Sequence, residues 1–264
     1  SLNGLLTNLT INSGTLSLNG NLTANGNLSG SSTLDAGSGN YSLTVNGDFS
    51  PANFNAGNST VVLGGTGAIS LGSYSFSNLT INGSGKTVIL SGDIKVNSNL
   101  NIQDGTLDDG GKTIELGGNW TNTGNFTGSG TLSLIDAGLT SIIKGSNTFN
   151  TLEIETPGKT VQFEAEEIQT IKDLTVSGDS GNLVNLTSDS ASTWNIRVTG
   201  TADVSYAEIS WGNVSGNYDI VPVNSIDGGN NNSNSPAYFW VFRRDYIWTG
   251  EGLDRNWTNP ANWG

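Results

Sequence analysis

Apolar residues alternate with polar ones in short triplets along most of the chain. Examples are Leu79–Ile81, Leu100–Ile102 and Ile114–Leu116, and Gly, Asn, Asp and Ser fill the gaps between triplets. Alternation with a period of two predicts short strands with one buried face, and the polar gaps predict turns. We therefore expect the apolar residues of these triplets, together with Trp120, to face a common core, while the residue between each pair faces outward.

A longer pattern recurs after about 70 residues: Leu6–Ile11 reads LTNLTI, Phe76–Ile81 reads FSNLTI and Phe149–Ile154 reads FNTLEI. A fixed period of this kind indicates one supersecondary unit stacked many times. Comparable triplets return after roughly 18 to 24 residues, so each long repeat is expected to hold three coils of three short strands. The pattern predicts an all-β fold, a parallel β-solenoid built as a right-handed β-helix. Roughly a dozen coils, about 4.8 Å apart, would make a rod about 55 to 60 Å long.

The repeat divides the chain into three expected parts. The solenoid is expected over residues 1–226, with repeats near 6–75, 76–148 and 149–180 and degenerate final coils up to residue 226. A Gly-, Asn- and Ser-rich stretch over 227–236 predicts a linker or turn. Residues 237–264 form an aromatic-rich C-terminal segment that holds four of the seven Trp.

Composition supports stacking and excludes several functions. Charged residues are 12% of the chain, about half the usual share, and a stack tolerates Asn, Ser and Thr ladders better than rows of like charge. A net charge of −13 disfavours nucleic acid as a partner. No apolar run is long enough to predict a membrane span, and the sequence predicts no signal peptide. The chain begins at Ser1 and lacks Met, so we expect a processed protein or a segment of a longer one.

The residues offer little catalytic chemistry. Cys and His are both absent, which removes disulfides, thiolate ligands and the commonest general base. Carboxylates cluster in two turn-rich stretches, Asp104, Asp108 and Asp109 in one, and Glu164, Glu166 and Glu167 in the other. Neither cluster has an Arg beside it in sequence, so we expect no enzymatic activity, no cofactor and no metal. A weak Ca²⁺ site at the first cluster is the alternative. Ice binding would need an unbroken outward row of Thr. The first two copies of the long repeat have Thr10 and Thr80 at one position, but the third copy has Glu153 there, so we expect the row to be broken.

The two ends of the sequence suggest self-association. The first coil follows the repeat without a polar cap, and the aromatic tail exceeds what one short segment can bury alone. Subunits are therefore expected to join head to tail. The predicted self-association residues are Leu6, Leu9, Ile11, Tyr238, Phe239, Trp240, Phe242, Trp248, Trp257 and Trp263. Two alternatives stay open: Tyr238–Phe242 folds back onto its own solenoid as a last strand or cap, or exposed Trp side chains stack on sugars.

A resemblance adds to this interpretation. The repeated N-L-T-I-N, T-V-x-L and G-x-L-x-V triplets, the segment Val204–Trp211, the run Asn224–Asn230 and the closing elements Trp248–Gly250 and Asn256–Trp263 resemble large secreted bacterial β-helix surface proteins of the adhesin-like and autotransporter-like kinds. The resemblance implies extracellular or cell-surface display, and a W-x-G…NW element that tends to open a further module.

The expected function is structural. The chain would serve as a surface stalk, an adhesin shaft or a filament subunit whose partner is a second copy of itself. The alternative is a carbohydrate-binding or carbohydrate-cleaving β-helix with surface glycans as partners.

Overall fold

A computed structural model describes residues 5–37, 39–232 and 238–242. These residues form an all-β structure. Its strands, in chain order, are β1 (Leu5–Leu6), β2 (Leu9–Thr10), β3 (Thr15–Ser17), β4 (Leu22–Ala24), β5 (Leu28–Asp35), β6 (Ser42–Val45), β7 (Phe49–Asn55), β8 (Thr60–Gly64), β9 (Gly67–Leu71), β10 (Ser75–Phe76), β11 (Asn78–Leu90), β12 (Ile94–Val96), β13 (Leu100–Asp108), β14 (Thr113–Leu116), β15 (Trp120–Asn122), β16 (Asn125–Thr127), β17 (Thr131–Leu134), β18 (Ser141–Lys144), β19 (Asn147–Ile154), β20 (Thr160–Phe163), β21 (Ile168–Ser177), β22 (Val184–Ser188), β23 (Trp194–Val198), β24 (Ala202–Ser205), β25 (Ala207–Ser210), β26 (Gly212–Val214) and β27 (Ile226–Gly229).

The strands stack into a β-solenoid of about 11 turns. They form a 14-stranded sheet from β1 to β27, a 9-stranded sheet from β10 to β26, and a 4-stranded sheet of β2, β3, β5 and β7. Strands in successive coils pair in parallel, as Leu79 does with Leu100 and Ile114 with Leu132. This confirms the predicted parallel β-solenoid. Within the described ranges, no helix is long and apolar enough to cross a membrane.

The predicted core is confirmed. All seven side chains expected to face inward are fully buried, namely Leu79, Ile81, Leu100, Ile102, Ile114, Leu116 and Trp120. The residues between the pairs, Thr80, Asn101 and Glu115, are partly exposed. One continuous apolar column therefore fills the rod, because each strand buries alternate residues against the strands of the other faces.

The long sequence repeat does not hold a whole number of coils, which corrects the expectation of three. Leu79 stacks on Leu100, then on Trp120 and Ile143 in three successive coils of the 14-stranded sheet. Its sequence counterpart Leu152 lies farther on, in the 9-stranded sheet. The first counterpart, in β2, lies in the 4-stranded sheet. The three copies thus occupy three different sheets, and this is compatible with one core because every face accepts the same apolar-polar-apolar triplet.

Asn side chains connect neighbouring coils as the composition predicted. The Asn8 Oδ1 accepts the Asn27 backbone N–H at 2.8 Å, and the Asn27 Oδ1 accepts the Asp48 N–H at 2.9 Å. A second ladder runs from Asn78 to Asn99 and Asn119, with N–H to Oδ1 distances of 3.3 and 3.2 Å. These bonds satisfy turn N–H groups that the strand ladders leave unpaired.

The stack extends slightly beyond the expected solenoid boundary. β27 pairs with β25, and its residues Asp227–Gly229 belong to the stretch that the sequence assigned to a linker. The Asp227 Oδ1 accepts the Gly229 N–H at 2.9 Å, and Gly229 has a φ of 92°. Turn-forming residues therefore close this strand at its end.

Candidate functional site

One interruption of the sheets lies between β7 and β10. The 4-stranded sheet ends at β7, and the 9-stranded sheet begins at β10 with no ladder between the two strands. Pro51, in β7, has no N–H to donate. Its carbonyl accepts a hydrogen bond from the Tyr74 hydroxyl at 2.9 Å, where a backbone N–H of the next coil would otherwise bond. The proline thus marks the edge at which the sheet stops.

Four aromatic rings fill this interruption. The Phe49 ring centroid lies 5.2 Å from that of Phe54 and 5.1 Å from that of Tyr74, and Phe76 lies 6.1 Å from Tyr74. Phe49 and Phe76 are buried, whereas Phe54 and Tyr74 are partly exposed. Edge-to-face packing of this kind holds rings in fixed orientations. The break is therefore filled by a rigid cluster that presents two rings to the surface.

A groove opens over these rings, and we call it the Tyr74 groove. Its larger part, about 470 Å³, is lined by Ser73, Tyr74, Ser75, Asp93, Ile94, Lys95, Thr113 and Glu115. Its smaller part, about 330 Å³, shares Ser73–Ser75 and adds Thr33, Ala52, Asn53, Phe54 and Asn55. These residues come from five successive coils, so the groove extends about 19 Å along the rod. Such volumes fall in the range of ligand sites.

The polar groups of the groove are held in place by neighbouring coils. The Lys95 Nζ lies 3.5 Å from the Glu115 Oε2, with both side chains about half exposed. The Asp93 Oδ1 accepts the Thr113 N–H at 2.9 Å. Burial raises the pKa of the Tyr74 hydroxyl above its ordinary value, so this group stays a neutral donor to Pro51. The groove combines aromatic rings, a cation, two carboxylates and several hydroxyl and amide groups.

The carboxylates of the two predicted clusters accept hydrogen bonds from nearby groups of the rod. Asp104 and Asp108 each accept an N–H from a nearby Gly at 2.9 Å. The Glu164 Oε2 accepts the Gly145 N–H at 2.7 Å, and Glu167 accepts a hydrogen bond from the Ser146 hydroxyl. Among the residues that the structure describes, no group of three or more Asp, Glu, His or Cys side chains is placed to hold a metal ion.

Outward Thr side chains do not form an unbroken row. The row is not broken by Glu153, as the sequence suggested, because the three copies of the repeat do not stack on one another. Thr10 pairs with Ser29, Thr80 with Asn101 and Glu153 with Thr175, so the three copies never stack on one another. The row that contains Thr80 instead runs through Thr23, Thr44, Val62, Thr80, Asn101 and Thr121. Val62 and Asn101 interrupt it.

The predicted self-association residues of the first coil are half-buried or buried. Leu6 and Leu9 are half-buried against the core, and Ile11 is buried. β1 pairs with β4 and β2 with β5. On the opposite side, no strand of the described residues pairs with either.

The described part of the aromatic tail packs on its own chain. This agrees with the alternative that Tyr238–Phe242 folds back onto its own solenoid. Trp240 is buried, with its ring centroid 6.1 Å from that of Trp194. Ile220 and the tail exchange backbone hydrogen bonds of 2.9 and 2.8 Å through Phe239 and Val241. This removes Trp240 from the surface offered to a second subunit.

The other predicted tail residues differ in exposure. Tyr238 and Phe242 are half-buried, and Phe239 is exposed. Trp248, Trp257 and Trp263 lie outside the described residues.

Sequence reasoning missed Tyr74. Tyr74 precedes the second repeat landmark and has no aromatic counterpart in the other copies, so the repeat alignment gave it no role. The available signal was an aromatic residue at a position where the other copies have Gly4 and Asn147. Comparison with known proteins finds no family model, no curated protein and no solved structure with significant similarity to this chain.

Proposed function

We propose that the chain is a structural rod of an extracellular or cell-surface protein, serving as a stalk or shaft. The single observation that supports this is the uninterrupted apolar column inside a parallel stack of about 11 turns. A solenoid of this kind transmits load between its ends through every ladder, and it gains length by adding coils without a new core design.

The carboxylates lend no support to a catalytic role. Most of them accept backbone or hydroxyl hydrogen bonds within turns, as Asp104, Asp108 and Glu164 do. A glycoside hydrolase needs two carboxylates that face each other across a substrate. We expect no cleavage of plant, algal or bacterial polysaccharides, and reproducible chain scission in such a panel would contradict this.

The placement of the rod can be tested on the cells that make it. Antibodies raised against the purified chain should label intact cells or their extracellular material, and electron microscopy of the purified chain should show rods about 50 Å long. Label confined to the cell interior would overturn the surface assignment. A matched serum from the same animals before immunisation serves as the control.

Head-to-tail assembly is part of this proposal and has its own test. With Trp240 packed on Trp194, the surface left for a second subunit includes Phe239, Val223 and Ile226, which are all exposed. Ile226→Lys and Phe239→Lys, which leave the contact between Trp240 and Trp194 in place, should give folded rods that no longer form fibres. Sedimentation of the intact chain as a monomer at high concentration would contradict assembly and leave the stalk function standing.

A further inference from the structure

We propose that the Tyr74 groove binds a neutral polysaccharide chain that lies along the axis of the rod. This goes beyond a structural role, because it assigns a ligand and a site to the side of the shaft.

The first argument is the fixed aromatic platform. Tyr74 is anchored at its hydroxyl by Pro51 and at its ring by Phe49 and Phe76, yet it stays partly exposed in the groove. Sugar rings carry C–H groups on their faces and hydroxyl groups on their edges, so they stack on aromatic rings and hydrogen-bond sideways. A platform held in place before binding lowers the entropic cost of binding.

The second argument is the polar lining. Ser73, Ser75, Asp93, Lys95 and Glu115 place donors and acceptors beside the Tyr74 ring. Hydroxyl groups of a sugar both donate and accept, so a mixed set of this kind suits them better than it suits an apolar ligand.

The third argument is charge. Two carboxylates face one ammonium in the larger part of the groove, and the whole chain carries a net charge of −13. Anionic polysaccharides and nucleic acids would be repelled from this surface. A neutral glycan is the polymer that the electrostatics favour.

The fourth argument is shape. The groove crosses five coils from Thr33 to Thr113 and is open along its length, so an extended chain fits it better than a single small molecule. An extended peptide would bind by adding a strand to the free edge of β7. Pro51 disfavours this, because it offers no N–H at that edge and its carbonyl already accepts a hydrogen bond from Tyr74.

Isothermal titration calorimetry with hexasaccharides tests the proposal. The probes are cellohexaose, chitohexaose, xylohexaose and mannohexaose, with hexagalacturonic acid as the anionic comparison. At least one neutral probe should bind, and hexagalacturonic acid should bind at least tenfold more weakly. Absence of binding by every neutral probe at millimolar concentration, or equal binding of the acid, would overturn the proposal.

Variants locate the site. Tyr74→Leu removes the platform and should weaken binding at least tenfold, and Glu115→Gln should weaken it severalfold. The matched control is Glu153→Gln, because Glu153 lies in the same outward row as Glu115 two coils away and outside the groove. It should leave the Kd within twofold of the parent value.

A second variant guards against loss of folding in Tyr74→Leu. Ser75 is exposed at the rim, and Ser75→Leu adds bulk to the groove without supplying a second stacking ring. It should weaken binding at least tenfold while circular dichroism and melting temperature stay unchanged. Unchanged binding in Ser75→Leu, or equal losses in the groove variants and Glu153→Gln, would refute the site. These outcomes are independent of where the rod is displayed.

Discussion

Asp109 is a buried carboxylate that accepts hydrogen bonds from backbone N–H groups. It is 3% exposed, and its Oδ1 accepts N–H groups of Gly111, Ser129 and Gly130 at 2.8, 2.9 and 2.9 Å. The turn of one coil is thereby fixed to the turn of the next. Gly128 allows this approach, since it has a φ of 135° and a Cβ there would lie 2.1 Å from the same oxygen.

Replacing Asp109 should therefore cost much more stability than replacing its neighbour. Asp109→Ala removes the acceptor of three N–H groups, of which that of Gly130 is buried, and is expected to lower the free energy of unfolding by about 1.5 to 3 kcal/mol. Asp108 accepts only the Gly110 N–H in a more exposed turn, and Asp108→Ala should cost under about 1 kcal/mol. Urea unfolding followed by circular dichroism measures both, and equal losses would contradict the role given to Asp109.

Lys159 brings an ammonium group into the rod. Its Nζ donates to the carbonyls of Gly117, Asp136 and Leu139 at 2.7, 3.0 and 2.8 Å. Lys86 does the same with Asn46 and Gly47. Both lysines stand in a Gly-Lys-Thr-Val sequence, so the recurrence of this sequence marks the two positions.

The buried ammonium should make stability depend on alkaline pH. Burial lowers the pKa of Lys159 to about 8, and Asp136 only partly opposes this, while an unfolded lysine keeps a pKa near about 10.4. Between these values the unfolded chain binds a proton that the folded chain has released. The free energy of unfolding should therefore rise with pH, by up to about 1.4 kcal/mol per pH unit.

Urea unfolding between about pH 8 and pH 9.5, below the ionisation of tyrosine, measures this rise. The rise should be smaller in Lys159→Met, where Lys86, whose pKa burial also lowers, supplies the remainder, and it should be fully retained in Lys144→Met, whose side chain is exposed. The same slope in the parent protein and in Lys159→Met would contradict the assignment.

At the scale of the strand, the fold depends on which side of each triplet is buried. Ile114, in β14, is fully buried between β12 and β17. Ile114→Asp places an unpaired charge in the core and should cost at least about 3 kcal/mol. The control Thr131→Asp adds the same charge to an outward position of β17, between Thr113 and Thr151, and should change stability by less than about 1 kcal/mol. A loss under about 1 kcal/mol for Ile114→Asp would mean that the register is wrong.

The strands and their buried faces were predictable because they depend on local alternation. Leu79 and Ile81 are buried and Thr80 faces outward, as expected for a strand whose apolar residues recur with a period of two. Which coils stack was not predictable, because sequence likeness between Leu79 and Leu152 says nothing about whether they occupy the same face. The Tyr74 groove depends on that register, since it lies where one sheet ends. The contact of Trp240 with Trp194 joins residues outside the clear repeat.

At the scale of the molecule, the rod should tolerate removal of whole coils only. Leu79, Leu100 and Trp120 stack in successive coils, so deleting residues 79–119 removes two coils and keeps every later strand on its face. We expect a folded rod about 10 Å shorter, measured by small-angle X-ray scattering. Deleting residues 79–109 ends within a coil and turns later strands onto the wrong face, so that variant should not fold. Equal stability of the two deletions would contradict the stacking register.

The Asn ladders have a direction, from which we expect assembly of the rod to begin at its N terminus. In both ladders the side chain of the earlier coil accepts the N–H of the later one, as Asn78 does for Asn99 and Asn99 for Asn119. The lysines act in the same sense, because Lys159 donates to carbonyls of coils that precede it. A chain that emerges N terminus first thus presents each new coil with bonding partners already in place. We therefore expect each completed coil to serve as a template for the next one.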